Sequence, residues 1–247
     1  MKQSGVGRMP QDTEFIISGT GRYLWLLEPL LYMYGKYMPV PLLFFLDRPM
    51  EGINAVEVFL RNMRAYHEPC GGLIKDALQT VNKPVVMLGY MDFLPSRKVD
   101  LGILAGLEQY MIKDHRVVRG NIWAGADNTV KSSKELLHEG EGFSIWKLSD
   151  KDHGQIGSTS LLPALWRKDF LLEFIEDNWT MDAIEFPGQK KFAAQNEWYS
   201  VGILPGVFHS CHLCYTADRR EVRLSTIQNE EDRAFVAQFI PEGSRIT

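Results

Sequence analysis

No stretch of this chain approaches the roughly 18 consecutive apolar residues that a bilayer-spanning helix needs. The first residues also lack the apolar core of a secretory signal, so the sequence reads as cytoplasmic. Cysteine is scarce: Cys70, Cys211 and Cys214 are the whole supply, an odd number that does not suggest a disulfide framework and points to a reducing compartment. Excess positive charge is absent too. A net charge of -4 offers no general basic field for nucleic acid. Internal repeats, low-complexity tracts and a clean interdomain linker are also missing.

What is present is ordinary globular material. The 247 residues are 45% hydrophobic and 23% charged, ample for a core without staples. Residues 1–12 read as a loose tail. Glu14 to Ser18 is a short strand broken by Ser18-Gly19-Thr20-Gly21, and a helix follows from Arg22 to near Gly35, with Leu24, Leu27, Leu31 and Tyr34 on one face. Pro39 and Pro41 prevent its continuation. Leu42 to Leu46 is a second buried strand, closed by Asp47-Arg48-Pro49. Strand, helix, strand is a βαβ signature. Small residues after the first strand let backbone N–H groups approach a phosphate or a base, although a plain tight turn has the same composition.

Pro84 to Asp92 is the stretch around which the rest is organised. Its apolar run reads as a strand buried on both faces of a mainly parallel sheet. Ligands in open α/β sheets sit beyond the carboxyl ends of such strands, where Asp92 falls. Capping the next helix is the alternative role for that acid. Helices are also expected over 57–66, 72–81 and 99–113, the last with Leu101, Leu104, Leu107 and Met111 inward. Residues 121–134 read as a long Gly-rich loop able to act as a flap. Strands are expected at 117–118, 144–148 and 159–162, with a turn over 151–157. A helix carries Asp169 early, with Phe170, Leu171 and Phe174 buried. Thr180 can cap another helix on which Asp182 and Glu185, three apart, share a face. Residues 198–227 alternate as a pair of strands, and a charged terminal segment follows.

Three blocks together resemble the small nucleotide-sugar-dependent glycosyltransferases of the GT-A type, in particular short phage and bacterial enzymes. The first is Phe15-Ile16-Ile17-Ser18 followed by Tyr23-Leu24-Trp25-Leu26-Leu27-Glu28-Pro29. The second is Leu88 to Leu94 with Val99-Asp100. The third, and most specific, is Ser160-Leu161-Leu162-Pro163-Ala164-Leu165-Trp166 through Leu172, running on from Trp179 to Glu185-Phe186. The likeness spans roughly residues 14–190. It implies a GT-A-like, Rossmann-like, mainly parallel sheet flanked by helices, with a smaller β-rich C-terminal part. One domain over 13–247 would comprise a nucleotide-binding half, 13–120, and an acceptor-side half, 121–247.

The resemblance implies that Ser18, Gly19, Thr20, Asp47 and Arg48 lie near the nucleoside and Asp92 near the diphosphate or its metal. A leaving nucleoside diphosphate needs a cation to neutralise its charge, and carboxylate oxygen suits magnesium or manganese. The usual Asp-x-Asp motif is broken here because Tyr90 holds its first position. A metal would therefore be weakly held, helped by a distant ligand such as His209 or His212, or absent. His209 and His212 with Cys211 and Cys214 invite a zinc reading, but alternation along strands splits them between faces. For an inverting transfer, Asp182 is the favoured base and Glu185 the alternative, unless both serve only as helix N-terminal acids. Trp179 is a candidate for stacking on a sugar and Trp166 for the core. Arg167 and Lys168 either hold the diphosphate or form a solvated helix start. The implied donor is a UDP-sugar. The implied acceptor is a glycan, a lipid-linked sugar, a protein or a hydroxymethylated base of phage DNA. A catalytically silent nucleotide-binding module is the competing reading.

Overall fold

A computed structural model describes residues 9–19, 21–46, 55–57, 69–133, 135–148, 162–195, 197–213 and 221–247. In chain order the elements are β1 (Thr13–Gly19), a 3-10 turn (Gly21–Leu26), α1 (Leu27–Tyr37), β2 (Leu42–Leu46), β3 (Ala55–Glu57), α2 (Gly71–Gln79), β4 (Val85–Tyr90), β5 (Phe93–Pro95), α3 (Leu101–Lys113) and β6 (Val117–Asn121). They continue with a 3-10 turn (Ala124–Ala126), α4 (Asp127–Ser132), β7 (Glu135–Gly140), β8 (Phe143–Lys147), β9 (Ala164–Arg167), α5 (Lys168–Phe174) and α6 (Met181–Ala193). The chain ends with β10 (Tyr199–Leu204), β11 (Ser210–His212), β12 (Glu221–Val222), a 3-10 turn (Leu224–Thr226), α7 (Glu230–Ala237) and β13 (Arg245–Ile246).

Nine strands form one sheet in the order β3-β2-β1-β4-β9-β6-β10-β8-β7. All run one way except β8 and β9. The α/β, mainly parallel architecture expected from the apolar strands is therefore present. β4 shows why: Val85 and Met87 enter the core beneath α1 and α3, while Val86 enters the opposite core beneath α2, α5 and α6. A strand covered on both faces must be apolar at every position rather than at alternate ones.

The first helix is longer than expected. It opens as a 3-10 turn and passes Gly35 to end at Tyr37. Pro29 is tolerated because it lies in the first turn of α1, where amides have no intrahelical partner anyway. Residues 121–134 are not one long loop. Ala126 and Val130, four apart, seat a turn and α4 against Leu148. Shortness and Gly125 conceal that helix in the sequence. Among the described residues of 198–227 the strands do not pair with one another either. β10 is buried along most of its length between β6 and β8, whereas β11 leaves the sheet to pair with β5. Glu57 ends a strand, and the rest of the helix expected over 58–66 lies outside the described residues, as do the turn over 151–157 and residues 159–161. Residues 1–8 lie outside them too. Gln11 and Asp12 donate their amides to the buried Glu108 carboxylate, which also accepts from the Thr13 hydroxyl and so fixes the entry to β1.

The charged terminal segment docks on α1. Asp232 is only 1% exposed and accepts from the Tyr32 hydroxyl (3.1 Å), Lys36 Nζ (2.6 Å) and the Tyr37 hydroxyl, while Asn229 caps its amide. Burial alone would raise the Asp232 carboxyl, but the bonds from Lys36, Tyr37 and Tyr32 outweigh it and hold the group below the usual carboxylate range. A depressed carboxylate contributes stability above its unfolded value near 4 and loses it as the pH falls through the folded value. Asp232→Asn is expected to cost about 2 kcal/mol at neutral pH and to flatten the acid side of the stability curve. Urea unfolding of both proteins between pH 3 and 7 measures this; parallel curves would show that Asp232 is not the linked group.

Candidate functional site

The parallel strands end on one edge of the sheet, and the groups with chemistry collect there. Ser18 lies opposite Tyr90 in the β1–β4 register, and Met91 donates its amide to the Ser18 carbonyl (3.2 Å). Ser18, Gly19 and Asp92 thus share the carboxyl ends of adjacent central strands, where the backbone diverges and a ligand can enter. Thr20, Asp47 and Arg48 lie outside the described residues.

Immediately beyond β4 the chain turns into β5, which β11 joins antiparallel: Phe93 pairs with His212, Leu94 with Cys211 and Pro95 with Ser210. This ladder brings His212 Nε2 to 3.1 Å from Asp92 Oδ2 and stacks the imidazole on Phe93 (4.2 Å between centroids, planes 20° apart). The Asp92 side chain is 17% exposed and that of His212 32%, so the pair is sheltered but reachable. His209 lies elsewhere. Its carbonyl accepts from the Ser96 amide (2.7 Å) at the far end of the ladder, about 13 Å along the strand from Asp92. Burial first, then nearby Arg97, lowers the His209 imidazole, with Asp127 acting in the opposite sense. Its pairing with Asp92 as a metal ligand therefore finds no support in the geometry; the imidazole beside Asp92 is that of His212.

Among the described residues no three His, Cys, Asp or Glu groups come together to hold a metal. Cys211 faces the core, bonds the Leu94 carbonyl and has its thiol pushed up to about 12 by burial, which makes it a poor zinc ligand. Cys214 lies outside the described residues. Asp92 and His212 form a carboxylate–imidazole donor set, two ligands to which diphosphate oxygens and water could be added around manganese or magnesium.

A second group reaches the same edge because β9 is reversed. It runs from Ala164, opposite Leu88, to Arg167, opposite Val85, and so carries the chain away from Asp92. Arg167 and Lys168 consequently sit at the opposite edge. Arg167 there binds Asp169 and the Met111 carbonyl, and Lys168 binds the Val81 carbonyl. Neither is placed to hold a diphosphate near Asp92. α5 then brings the chain back alongside α2. Cys70 and Gly71 donate their amides to the Trp179 carbonyl, and Gly72 donates to that of Asp177. Since α2 descends into β4, its N-terminus and residues 177–180 lie on the ligand-side edge.

Thr180 caps α6 by accepting from the Ala183 amide (3.1 Å), as expected. Asp182 and Glu185 follow in the first turns of that helix, and of these two residues the backbone alone is described. Trp166 is buried in the core. Trp179 is half-buried, edge-on to Phe174 and under the Lys191 ammonium.

Two edge residues carried no sequence signal. Asn121, at the end of β6, is fully buried with an amide lacking partners among the described residues. Trp123, two residues on, donates its indole N–H to Ser210 Oγ (3.1 Å). A tryptophan inside a polar, Gly-rich stretch looks like loop until β11 is seen beside it.

No protein-family model matches the chain, and no curated protein matches it significantly. Among solved structures it is similar to a CMP:2-keto-3-deoxy-manno-octonic acid synthetase complexed with CTP, with 11% identity, a TM-score of 0.49 and coverage of 92% of this chain and 99% of that one. It is also similar to TarS of S. aureus (12% identity, TM-score 0.41, 81% of this chain, 35% of that one). A third is UDP-glucose pyrophosphorylase complexed with UDP-glucose (8% identity, TM-score 0.40, 94% of this chain, 98% of that one). Likeness at this level bears on neither substrate nor mechanism.

Proposed function

We propose that the protein transfers a sugar from a nucleotide-sugar donor, a UDP-sugar in the first instance, to an acceptor hydroxyl. The observation that carries this reading is the convergence on one sheet edge of Ser18-Gly19 at the end of β1, the Asp92–His212 pair and the start of α6 with Asp182 and Glu185. A strand end of small residues suits a nucleoside, the acid–imidazole pair suits a diphosphate and its ion, and a helix-borne carboxylate suits a proton to be removed. In the proposed step Asp182, or Glu185 in its place, takes the acceptor proton as that oxygen bonds to the anomeric carbon. The bond from that carbon to the diphosphate breaks, and the nucleoside diphosphate leaves with the electron pair. A divalent ion held by Asp92 and His212, when bound, would neutralise charge on the leaving group. The acceptor is a glycan or a hydroxymethylated base of phage DNA.

Thermal unfolding against nucleoside diphosphates and nucleotide sugars, with and without manganese, tests the donor half of this reading. A nucleotide at 100 times its dissociation constant stabilises by about 2.7 kcal/mol, which at this chain length is a rise of about 5–10 °C. Asp92→Asn is expected to remove most of that rise and any manganese dependence. Full retention of both would take Asp92 out of the donor site. A silent nucleotide-binding module is favoured by two observations, Tyr90 in place of an acid and an Asp92 already engaged by His212. Binding of nucleotide without any donor hydrolysis would establish it.

A further inference from the structure

The ladder that positions His212 also positions an aromatic ring. Ser210 and His212 are two apart on β11 and so share one face, opposite the buried Cys211. Ser210 Oγ accepts from the Trp123 indole, and His212 bonds Asp92. One strand face therefore runs from Trp123 to Asp92, with Ser210 and His212 about 7 Å apart along it, room for one sugar ring.

The indole is held in place before any ligand arrives. Its N–H is fixed on Ser210, and residue 123 bridges to Phe208 through the backbone. Gly125 lies so close to the six-membered ring that a Cβ there would fall 2.4 Å from it. Yet Trp123 is only half-buried. A rigid, part-exposed indole among hydroxyl and imidazole groups combines an apolar face with polar partners for ring hydroxyls.

Resting on the transferase reading, we infer that Trp123 is the stacking platform for a pyranose ring of the acceptor, which makes the acceptor a carbohydrate. A net charge of -4 over the whole chain also favours a carbohydrate over nucleic acid, whose phosphates attract basic partners.

The six tryptophans give six indole N–H signals in a proton–nitrogen NMR spectrum, and Trp123→Phe identifies that of Trp123. Titration with methyl glycosides of glucose, galactose, mannose and N-acetylglucosamine, with and without UDP, is expected to move the Trp123 signal saturably for at least one sugar. Trp123→Ala should weaken that binding about tenfold, and Trp123→Phe by less. Gly125→Ala, which keeps the tryptophan but drives a methyl into its ring, should weaken it as well. No movement of the Trp123 signal with any glycoside overturns the inference. Movement with a 5-hydroxymethylcytosine oligonucleotide and not with glycosides overturns it in favour of a nucleic-acid acceptor. UDP binding, read from its own shifts, is scored separately. Glycoside binding without UDP binding would retain the platform and reject the transferase.

Discussion

Asp182→Asn is expected to lower nucleotide-sugar turnover by about 10²–10⁴-fold while leaving nucleotide binding unchanged. The expectation follows from position. α6 begins on the ligand-side edge because the carbonyls of Asp177 and Trp179 are held by the amides at the start of α2, and Thr180 then caps the first turn. The helix thus carries Asp182 and Glu185 in its first two turns, and an isosteric amide in place of either carboxylate cannot accept the acceptor proton. Binding should survive, since donor contacts are assigned to Ser18, Gly19 and Asp92 on other strands. Glu185→Gln is the companion variant, and whichever loses turnover names the base. Steady-state donor hydrolysis with calorimetric nucleotide binding reads both quantities. Unchanged turnover in both variants would remove α6 from the chemistry. A parallel loss of binding would indicate a role in holding the donor.

Gly71→Ala is expected to be the most damaging added methyl among the described glycines. A Cβ at Gly71 would sit 1.9 Å from the Glu176 carbonyl oxygen and 3.0 Å from its carbon, so backbone rather than a side-chain tip must give way. The glycine is needed for close approach: it lets α2 start flush against residues 175–179 and donate amides to the Trp179 and Asp177 carbonyls. Overpacking of this kind costs about 3 kcal/mol, or about 10 °C in Tm at this chain length. The strain falls on the segment leading into α6, so turnover should fall further than stability alone explains at temperatures where the variant is fully folded. Thermal unfolding with activity at 15 °C separates the two effects. A variant as stable and active as the parent would mean that the contact at Glu176 yields freely.

Much of the fold was legible because local patterns and burial agreed. The apolar run at Val85 to Leu88 identified a strand covered on both faces, and Thr180 identified a helix start, since a hydroxyl accepting from an N3 amide is a local interaction. Asp92 was legible as the acid after that strand. α4 was not legible, because its burial depends on Leu148, which arrives from a distant strand. β10 and β11 were misread as partners because alternation reports which residues face inward and says nothing of which strand lies beside them.

The sequence by itself determined the alternation of strands and helices, the mainly parallel class of sheet and the placement of an acid at a strand's carboxyl end. These depend on residues within a few positions of one another. Tertiary structure alone decided that the imidazole on Asp92 is His212 rather than His209, that Arg167 and Lys168 lie on the wrong edge for a diphosphate, and that Trp123 shares a strand face with the Asp92 pair. Each depends on a strand's direction or neighbour, chosen by burial summed over the whole sheet, and no local pattern encodes that sum.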